Sequence, residues 1–312
     1  MKRPLISVVV NTYNEEKNLF RCLKSVEKFA DEIVVVDMHS EDNSVKIAKS
    51  FGAQVYLHEW MDYVEPARNF AIGKAKGKWI LILDPDEKIS NELAKNLRFI
   101  AVNKSDEVDY VLVPRKNMVF GKWMENTRWW PDYISRFFKK GKVNWPKQIH
   151  RQPELKGNIY TLPDNEKSAI IHYHYSTLDQ FLSRAIRYSE IQAQELVKEK
   201  KYKLSSSDLL LKPVGEFFSR FFVGEGYKDG LHGLALAILQ SYAVALVYLK
   251  VWEMKKYEKK PLENKKLRAT FSRLIWEADY WYARWWLDRM GGYRKVLLGW
   301  LYRLRGLILK LF

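Results

Sequence analysis

The sequence predicts an α/β protein, with a mostly parallel sheet in the N-terminal part and an all-α C-terminal region. Three observations carry this. Strand and helix signals alternate through the first hundred residues, which implies βαβ crossovers and a parallel sheet. From about Asp106 the pattern changes to "DYVLVPRKNMVFGKW", "DYISRFFKKGKVNW" and "SAIIHYHY", which read as antiparallel or mixed strands joined by turns. After Ser176 the signals are helical. The expected domains are 1–200 for the sheet and 201–312 for the helical region, with "KEKKYKLSSSD" (198–208) as an exposed joint.

The first strand is "LISVVVN" (5–11), an unbroken apolar run of the kind a sheet covered on both faces requires. A helix follows over "EEKNLFRCLKSVEKFA" (15–30), with Leu19, Cys22, Leu23, Val26 and Phe29 at helical spacing. "EIVVVD" (32–37) is a strand, and "EDNSVKIAKSFG" (41–52) is a helix closed by Gly52. "AQVYLH" (53–58) is a short strand, "EPARNFAIGKAKG" (65–77) a helix and "KWILILD" (78–84) the fourth strand. In open parallel sheets ligands bind beyond the carboxyl ends of the strands, where strand order reverses. Three of those ends are polar here: Asn11-Thr12-Tyr13-Asn14-Glu15, Asp37-Met38-His39-Ser40 and Asp84-Pro85-Asp86-Glu87.

Composition narrows the class. A chain of 312 residues with 47% apolar content buries a substantial core and is not disordered. The single cysteine, Cys22, excludes a disulfide framework and a cysteine-based zinc site, and fits a reducing compartment. The apolar run after Met1-Lys2-Arg3-Pro4 is too short for a signal peptide, so no export is expected. The net charge is +16, and residues 255–312 carry 15 basic and 5 acidic residues, most of that excess. Such a balance suits nucleic acid, a membrane surface or phosphorylated ligands.

Three acids within four positions at the end of a buried strand repel one another unless something cationic sits between them. Asp-x-Asp there suits a hard divalent cation, Mg²⁺ or Mn²⁺, bridging Asp84 or Asp86 to a nucleotide diphosphate. A helix N-terminal charge cluster is the structural alternative. Asp37 suits hydrogen bonds from a base or ribose, or caps the next helix. Thr12 and Asn14 end the first strand, where they are also ordinary turn formers. Arg68 begins a helix with no acidic partner evident in the sequence, and suits phosphate or base recognition as well as a surface ion pair.

The ordered stretches "SVVVNTYNEEKNL", "EIVVVDMHSEDNSVKIAKSFGAQV", "PARNFAIGKAKGKWILILDPDE", "PDYISRFFKKGKVNW" and "IHYHY" resemble the family 2 glycosyltransferases of the GT-A fold. That fold is a Rossmann-like, mostly parallel sheet with a nucleotide-binding half. The resemblance spans about residues 5–175. It comes nearest the lipopolysaccharide-core β-1,4-glucosyltransferase-like branch, which also carries a helical tail with a segment like "GYKDGLHG". It implies that Thr12, Asn14, Glu15, Asp37 and Arg68 line the nucleotide pocket, and that Asp84 and Asp86 bind metal. Where the family usually has small residues after the second strand, this chain has Met38-His39-Ser40-Glu41-Asp42, so His39 either alters contacts to the nucleotide base or has no role there. Where relatives read His-Glu, it has His150-Arg151, so that glutamate is not the base here.

Inverting sugar transfer needs cations on the leaving diphosphate and a base for the acceptor hydroxyl. Asp132, in "WWPDYISRFF", is the first candidate base, with Trp129, Trp130 and Tyr133 beside it to desolvate it and stack on an acceptor sugar. A turn residue after Pro131 is its plainer reading. His150 is the second candidate base. His172 and His174 alternate in a strand and share a face, which in the plainer reading is a solvated strand face. His174 is a candidate for completing the metal shell, and Arg136 for neutralising phosphate on the acceptor side.

The run "GLALAILQSYAVALVYL" (233–249) is short for a bilayer span and reads as a buried or membrane-lying helix. Residues 289–312 carry six basic residues and no acid, with Leu297, Trp300, Leu301, Leu304, Leu307, Ile308 and Leu311 on one helical face. This suits an anionic membrane surface; the alternative is packing on its own domain or on a second subunit as a homodimer. No nucleic-acid motif appears. The expectation is an inverting, metal-dependent hexosyltransferase at the cytoplasmic face of the cell membrane. It uses a nucleotide diphosphate sugar, UDP-linked, and a lipid-linked or cell-surface glycan acceptor. The rivals are an inactive nucleotide- or glycan-binding membrane scaffold and a sugar nucleotidyltransferase. The latter needs a Gly-rich loop that "NTYNEEKNL" lacks.

Overall fold

The computed structural model describes residues 3–59, 65–146, 153–199, 202–287 and 289. His150 and the apolar face expected between Leu297 and Leu311 lie outside these residues. The chain divides into two compact units: 1–124 with 129–176, and 125–128 with 177–312. The division expected near residue 200 thus falls after Ser176, because the helix Leu178–Lys198 packs on another helix of the second unit.

In the first unit β1 (Ile6–Thr12), β2 (Glu32–Asp37), β3 (Gln54–Leu57) and β4 (Trp79–Leu83) alternate with α1 (Glu16–Val26), α2 (Ser44–Ser50) and α3 (Glu65–Lys74). After β5 (Glu87–Ile89) and α4 (Asn91–Asn103) come β6 (Tyr110–Val119), β7 (Lys122–Trp123), β8 (Asp132–Lys139), β9 (Val143–Asn144), β10 (Glu154–Leu155), β11 (Ile159–Thr161) and β12 (Ile170–Tyr175). The main sheet runs β3-β2-β1-β4-β8-β6-β12-β5. β1 to β4 are mutually parallel, while β8 is antiparallel to both β4 and β6.

β1 is buried along its whole length because both its faces are covered. Ile6, Val8 and Val10 pack with Leu19, Cys22, Leu23 and Val26 of α1. Val9 points to the other face, against Ala71 and Ile72 of α3 and Ala75 just beyond it. Each such fully buried Val or Leu contributes roughly 1.5–3 kcal/mol. This explains the unbroken apolar run where a half-exposed strand would alternate.

The two ends of the parallel strands differ. At the N-terminal end the polar groups satisfy one another. Glu32 accepts from the Ser7 hydroxyl and from the Lys76 N–H at 2.7 Å, and Gly77 N–H donates to Ser7 Oγ at 2.8 Å. A Cβ on Gly77 would stand 2.5 Å from Ser7 Oγ, so only glycine allows this approach. An open groove of about 1200 Å³ lies at this end, where Arg98 pairs with Asp31 at 3.0 Å. The carboxyl ends are unlike this.

The second unit holds α5 (Leu178–Lys198), α6 (Ser206–Phe218), α7 (Leu231–Met254) and α8 (Asn264–Leu287) among its described residues. α6 opens with a capping box between Ser205 and Asp208. α7 has 24 residues, longer than the 17-residue run suggested, and is long and apolar enough to cross a membrane by length and composition.

Candidate active site

Strand order reverses between β1 and β4, and register brings the strand ends together there: Thr12 pairs with Asp37, and Val10 with Leu83. Five side chains at this place bury polar atoms that have no hydrogen-bond partner among the described residues. They are both amide atoms of Asn11, Thr12 Oγ1, Asp37 Oδ1, Arg68 Nε and Arg136 Nη1. Buried polar atoms are almost always paired, and leaving one unpaired costs about 1–3 kcal/mol. A concentration of them at a switch point marks where a polar ligand completes the structure.

The loops beyond these strand ends are tied to each other. Asn14 and His39 both adopt left-handed backbone, with φ of 52° and 63°. Asn14 N–H donates to Ser40 Oγ (2.9 Å), its Oδ1 accepts from Glu41 N–H (2.8 Å), and Glu15 N–H donates to Ser44 Oγ (3.0 Å). Asp37 Oδ2 accepts from Ser40 N–H at 3.0 Å, the capping role weighed for it, while Oδ1 stays open. His39 is exposed, with Nε2 4.0 Å from Glu59.

The acids beyond β4 are relieved by arginines. Arg68 Nη2 lies 2.8 Å from Asp84 Oδ1, and Arg136 Nη2 bonds Asp84 Oδ2. No acidic partner of Arg68 is evident in the sequence; in the structure it is Asp84, 16 residues on, across the crossover from α3 to β4. Burial by itself raises the Asp84 pKa, but Arg136 and Arg68 outweigh it and hold the carboxyl far below the usual range. Burial lowers the pKa of Arg136, and Asp84 and Glu87 more than reverse that. Glu87 is fully buried, with Oε1 3.3 Å from Arg115 Nη1 and 3.6 Å from Arg136 Nη2. Protein cations thus do for Asp84 what a metal ion was expected to do.

Asp86 is placed differently. Its Oδ2 is 3.6 Å from His172 Nε2, and His174 Nδ1 is 3.2 Å from the same nitrogen. The two imidazoles do share a face, with ring centroids 4.5 Å apart, but His172 is 5% exposed, so this is no solvated strand face. No preformed group of three or more metal-ligating side chains occurs among the described residues. Both oxygens of Asp84 are engaged by guanidinium groups. The donors that fit a divalent cation are Asp86 and the imidazole pair.

Asp132 starts β8 opposite Arg115 of β6. Its Oδ2 accepts from Arg115 Nε (2.8 Å) and Asn117 Nδ2 (3.0 Å), and lies 2.7 Å from Arg115 Nη2. Its immediate partner is a guanidinium, where the sequence suggested tryptophans. Trp129 packs on His174 (4.9 Å) and Trp130 edge-on to Trp123 (5.2 Å), and the indole N–H groups of Trp123 and Trp129 have no partner among the described residues.

Sequence reasoning passed over Arg115, Asn117 and Glu87 as site residues. A signal existed for two of them. Val111, Val113 and Val119 are fully buried on one parity of β6, and Arg115 and Asn117 fall on that parity. Charged or amide residues there need buried partners.

Open buried polar groups, arginines and an Asp-x-Asp gathered at the switch point of a mostly parallel sheet mark the place where an α/β protein binds a polar ligand. Residues 7–158, just under half of the chain, match the model of glycosyl transferase family 2; the protein is a glycosyltransferase, and its sheet has the GT-A-like arrangement. An uncharacterized glycosyltransferase of Rickettsia conorii is 28% identical over 260 residues, covering 80% of this chain and 90% of that one. Its counterpart in Rickettsia bellii is 29% identical over 261 residues, covering 80% and 86%. Among solved structures, Staphylococcus aureus TarS 1–349 in complex with UDP is 16% identical, covering 83% and 94%, with a TM-score of 0.41. The mannosyltransferase PcManGT of Pyrobaculum calidifontis, in complex with GDP-Man and Mn²⁺, is 16% identical, covering 88% and 81%, with a TM-score of 0.43.

Proposed function

We propose that the protein is an inverting, metal-dependent hexosyltransferase that uses a UDP-linked sugar and a lipid-linked or cell-surface glycan acceptor such as a lipopolysaccharide core. The observation that carries this is the set of open buried polar atoms at Asn11, Thr12, Asp37, Arg68 and Arg136, next to Asp86. Asp37 Oδ1 and the Asn11 amide suit a ribose or base, and the spare N–H groups of Arg68 and Arg136 suit phosphate oxygens. Asp86 with His172 or His174 would hold Mg²⁺ or Mn²⁺, which would supply positive charge to the leaving diphosphate; imidazole in the set favours Mn²⁺ over the oxygen-preferring Mg²⁺. Asp132 is the base. Arg115 and Asn117 engage its Oδ2, leaving Oδ1 to take the acceptor's proton. Trp129 and Trp130 form the acceptor side; Arg136, expected there, bonds Asp84 instead and serves the diphosphate.

The helical unit supports work at a membrane surface. Ile238, Tyr242 and Leu249 on α7 and Ile275, Trp276 and Trp286 on α8 are exposed, and the charge excess lies in the same part of the chain. We place the protein at the cytoplasmic face of the cell membrane, as a peripheral protein.

Titration calorimetry with UDP, with and without Mn²⁺, tests the reaction class. UDP binding should need the metal and should be abolished by Asp86→Ala. Metal-independent binding of UDP or UTP, unchanged by Asp86→Ala, favours the scaffold or nucleotidyltransferase reading instead.

A further inference from the structure

We infer that Asn117 is a positioning residue that fixes His172 in the Nδ1–H tautomer, so that a bare Nε2 faces Asp86 and His174. Its use in catalysis rests on the function proposed above; the tautomer itself does not. β6 lies between β8 and β12 in the sheet, with Arg115 in register with Asp132 on one side and Asn117 with His172 on the other. Asn117 is fully buried.

The chemistry of its neighbours dictates which way its amide points. Nδ2 lies 3.1 Å from the Trp129 carbonyl oxygen and 3.0 Å from Asp132 Oδ2. A carbonyl oxygen only accepts, and Asp132 Oδ2 already receives the Arg115 guanidinium. Both contacts therefore require N–H donors, which fixes the NH₂ on that side. The amide oxygen must face His172 Nδ1, at 2.7 Å. An amide oxygen has no hydrogen, so Nδ1 carries the proton. In the neutral ring Nε2 is then the lone-pair nitrogen, 3.2 Å from His174 Nδ1 and 3.6 Å from Asp86 Oδ2. This is the reverse of the tautomer that a histidine side chain favours in water. One buried amide thus holds the carboxylate on one side of the site and orients the imidazole on the other.

The first test needs no variant of Asn117. In ¹⁵N-histidine-labelled full-length protein, without metal and at mildly alkaline pH, two-bond ¹H–¹⁵N correlations report the tautomer of each ring. His172 is identified by the signal that disappears in His172→Gln. A protonated Nδ1 with a bare Nε2 is expected; a proton on Nε2, or on both nitrogens, overturns the assignment. The second test follows Mn²⁺ binding by electron paramagnetic resonance in the presence of UDP. Asn117→Leu, close in volume, should weaken Mn²⁺ about 10–100-fold, the usual cost of losing a residue that orients a metal-binding histidine. In a His172→Gln background the same change should add nothing. Equal losses in both backgrounds overturn a role through His172. An Nδ1–H pattern in a protein that binds no Mn²⁺–UDP in any variant supports the tautomer and overturns the function proposed above.

Discussion

Asp84 stands between two guanidinium groups, and this makes its contribution to stability depend on acid in a definite direction. Its folded pKa lies below the unfolded value of about 3.9, so its stabilisation is fully present above pH ~4 and is lost as pH falls below that, toward the folded value. Asp84→Asn leaves Arg68 and Arg136 less compensated. Removing one partner of a buried pair costs roughly 3–5 kcal/mol, and the low end applies because Asp84 keeps 24% of its side chain exposed. Urea unfolding at neutral pH should show this loss, and the gap between wild type and variant should narrow at pH ~3. A gap that stays constant with pH would assign the loss to packing rather than to the ion pairs. At this scale Asp84, Asp86, Asp37 and Thr12 were legible because acids and hydroxyls at strand ends stand out against apolar runs. Which cation meets Asp84 was not legible. Arg68 and Arg136 reach it from a helix and a strand at sequence separations of 16 and 52 residues.

Among elements, the short segment "GYKDGLHG" (226–233) has a structural task inside the helical unit. Asp229 is 3% exposed and accepts from Asn126 N–H at 2.9 Å and from Asn126 Nδ2 at 3.3 Å. Thr127 N–H donates to Gly224 O at 2.6 Å. A Cβ on Gly233 would stand 1.8 Å from Gly226 O, so the start of α7 packs on this turn only as glycine. Residues 125–128 are thereby held by the helical unit although strands of the other unit flank them in sequence. Asp229→Ala should cost about 1–3 kcal/mol, since it leaves buried N–H groups unpaired. Hydrogen exchange of Asn126 should speed up while β1 and β4 stay protected. Unchanged exchange at Asn126 would remove this role. No periodicity points to such a contact, because the partners lie 103 residues apart.

For the whole molecule, charge and exposed apolar surface act together. Full-length protein should co-sediment with vesicles containing an anionic phospholipid and not with pure phosphatidylcholine. Added salt should release it, since each basic residue near an anionic surface contributes about 1 kcal/mol that screening removes. Failure to bind, with a dimer by light scattering, would assign the apolar faces of α7 and α8 to a second subunit.

By itself the sequence determined the order of strands and helices, the doubly covered parallel sheet and the polar strand ends at its switch point. Those follow from local periodicity and from where acids interrupt it. Only the tertiary structure decided that arginines relieve Asp84, that Asp86 keeps company with two imidazoles, and that Asn117 joins Asp132 to His172. The last depends on the register of β6 between β8 and β12, and the Asp84–Arg136 pair on β4 lying against β8; register between strands distant in sequence is set by packing of the whole sheet.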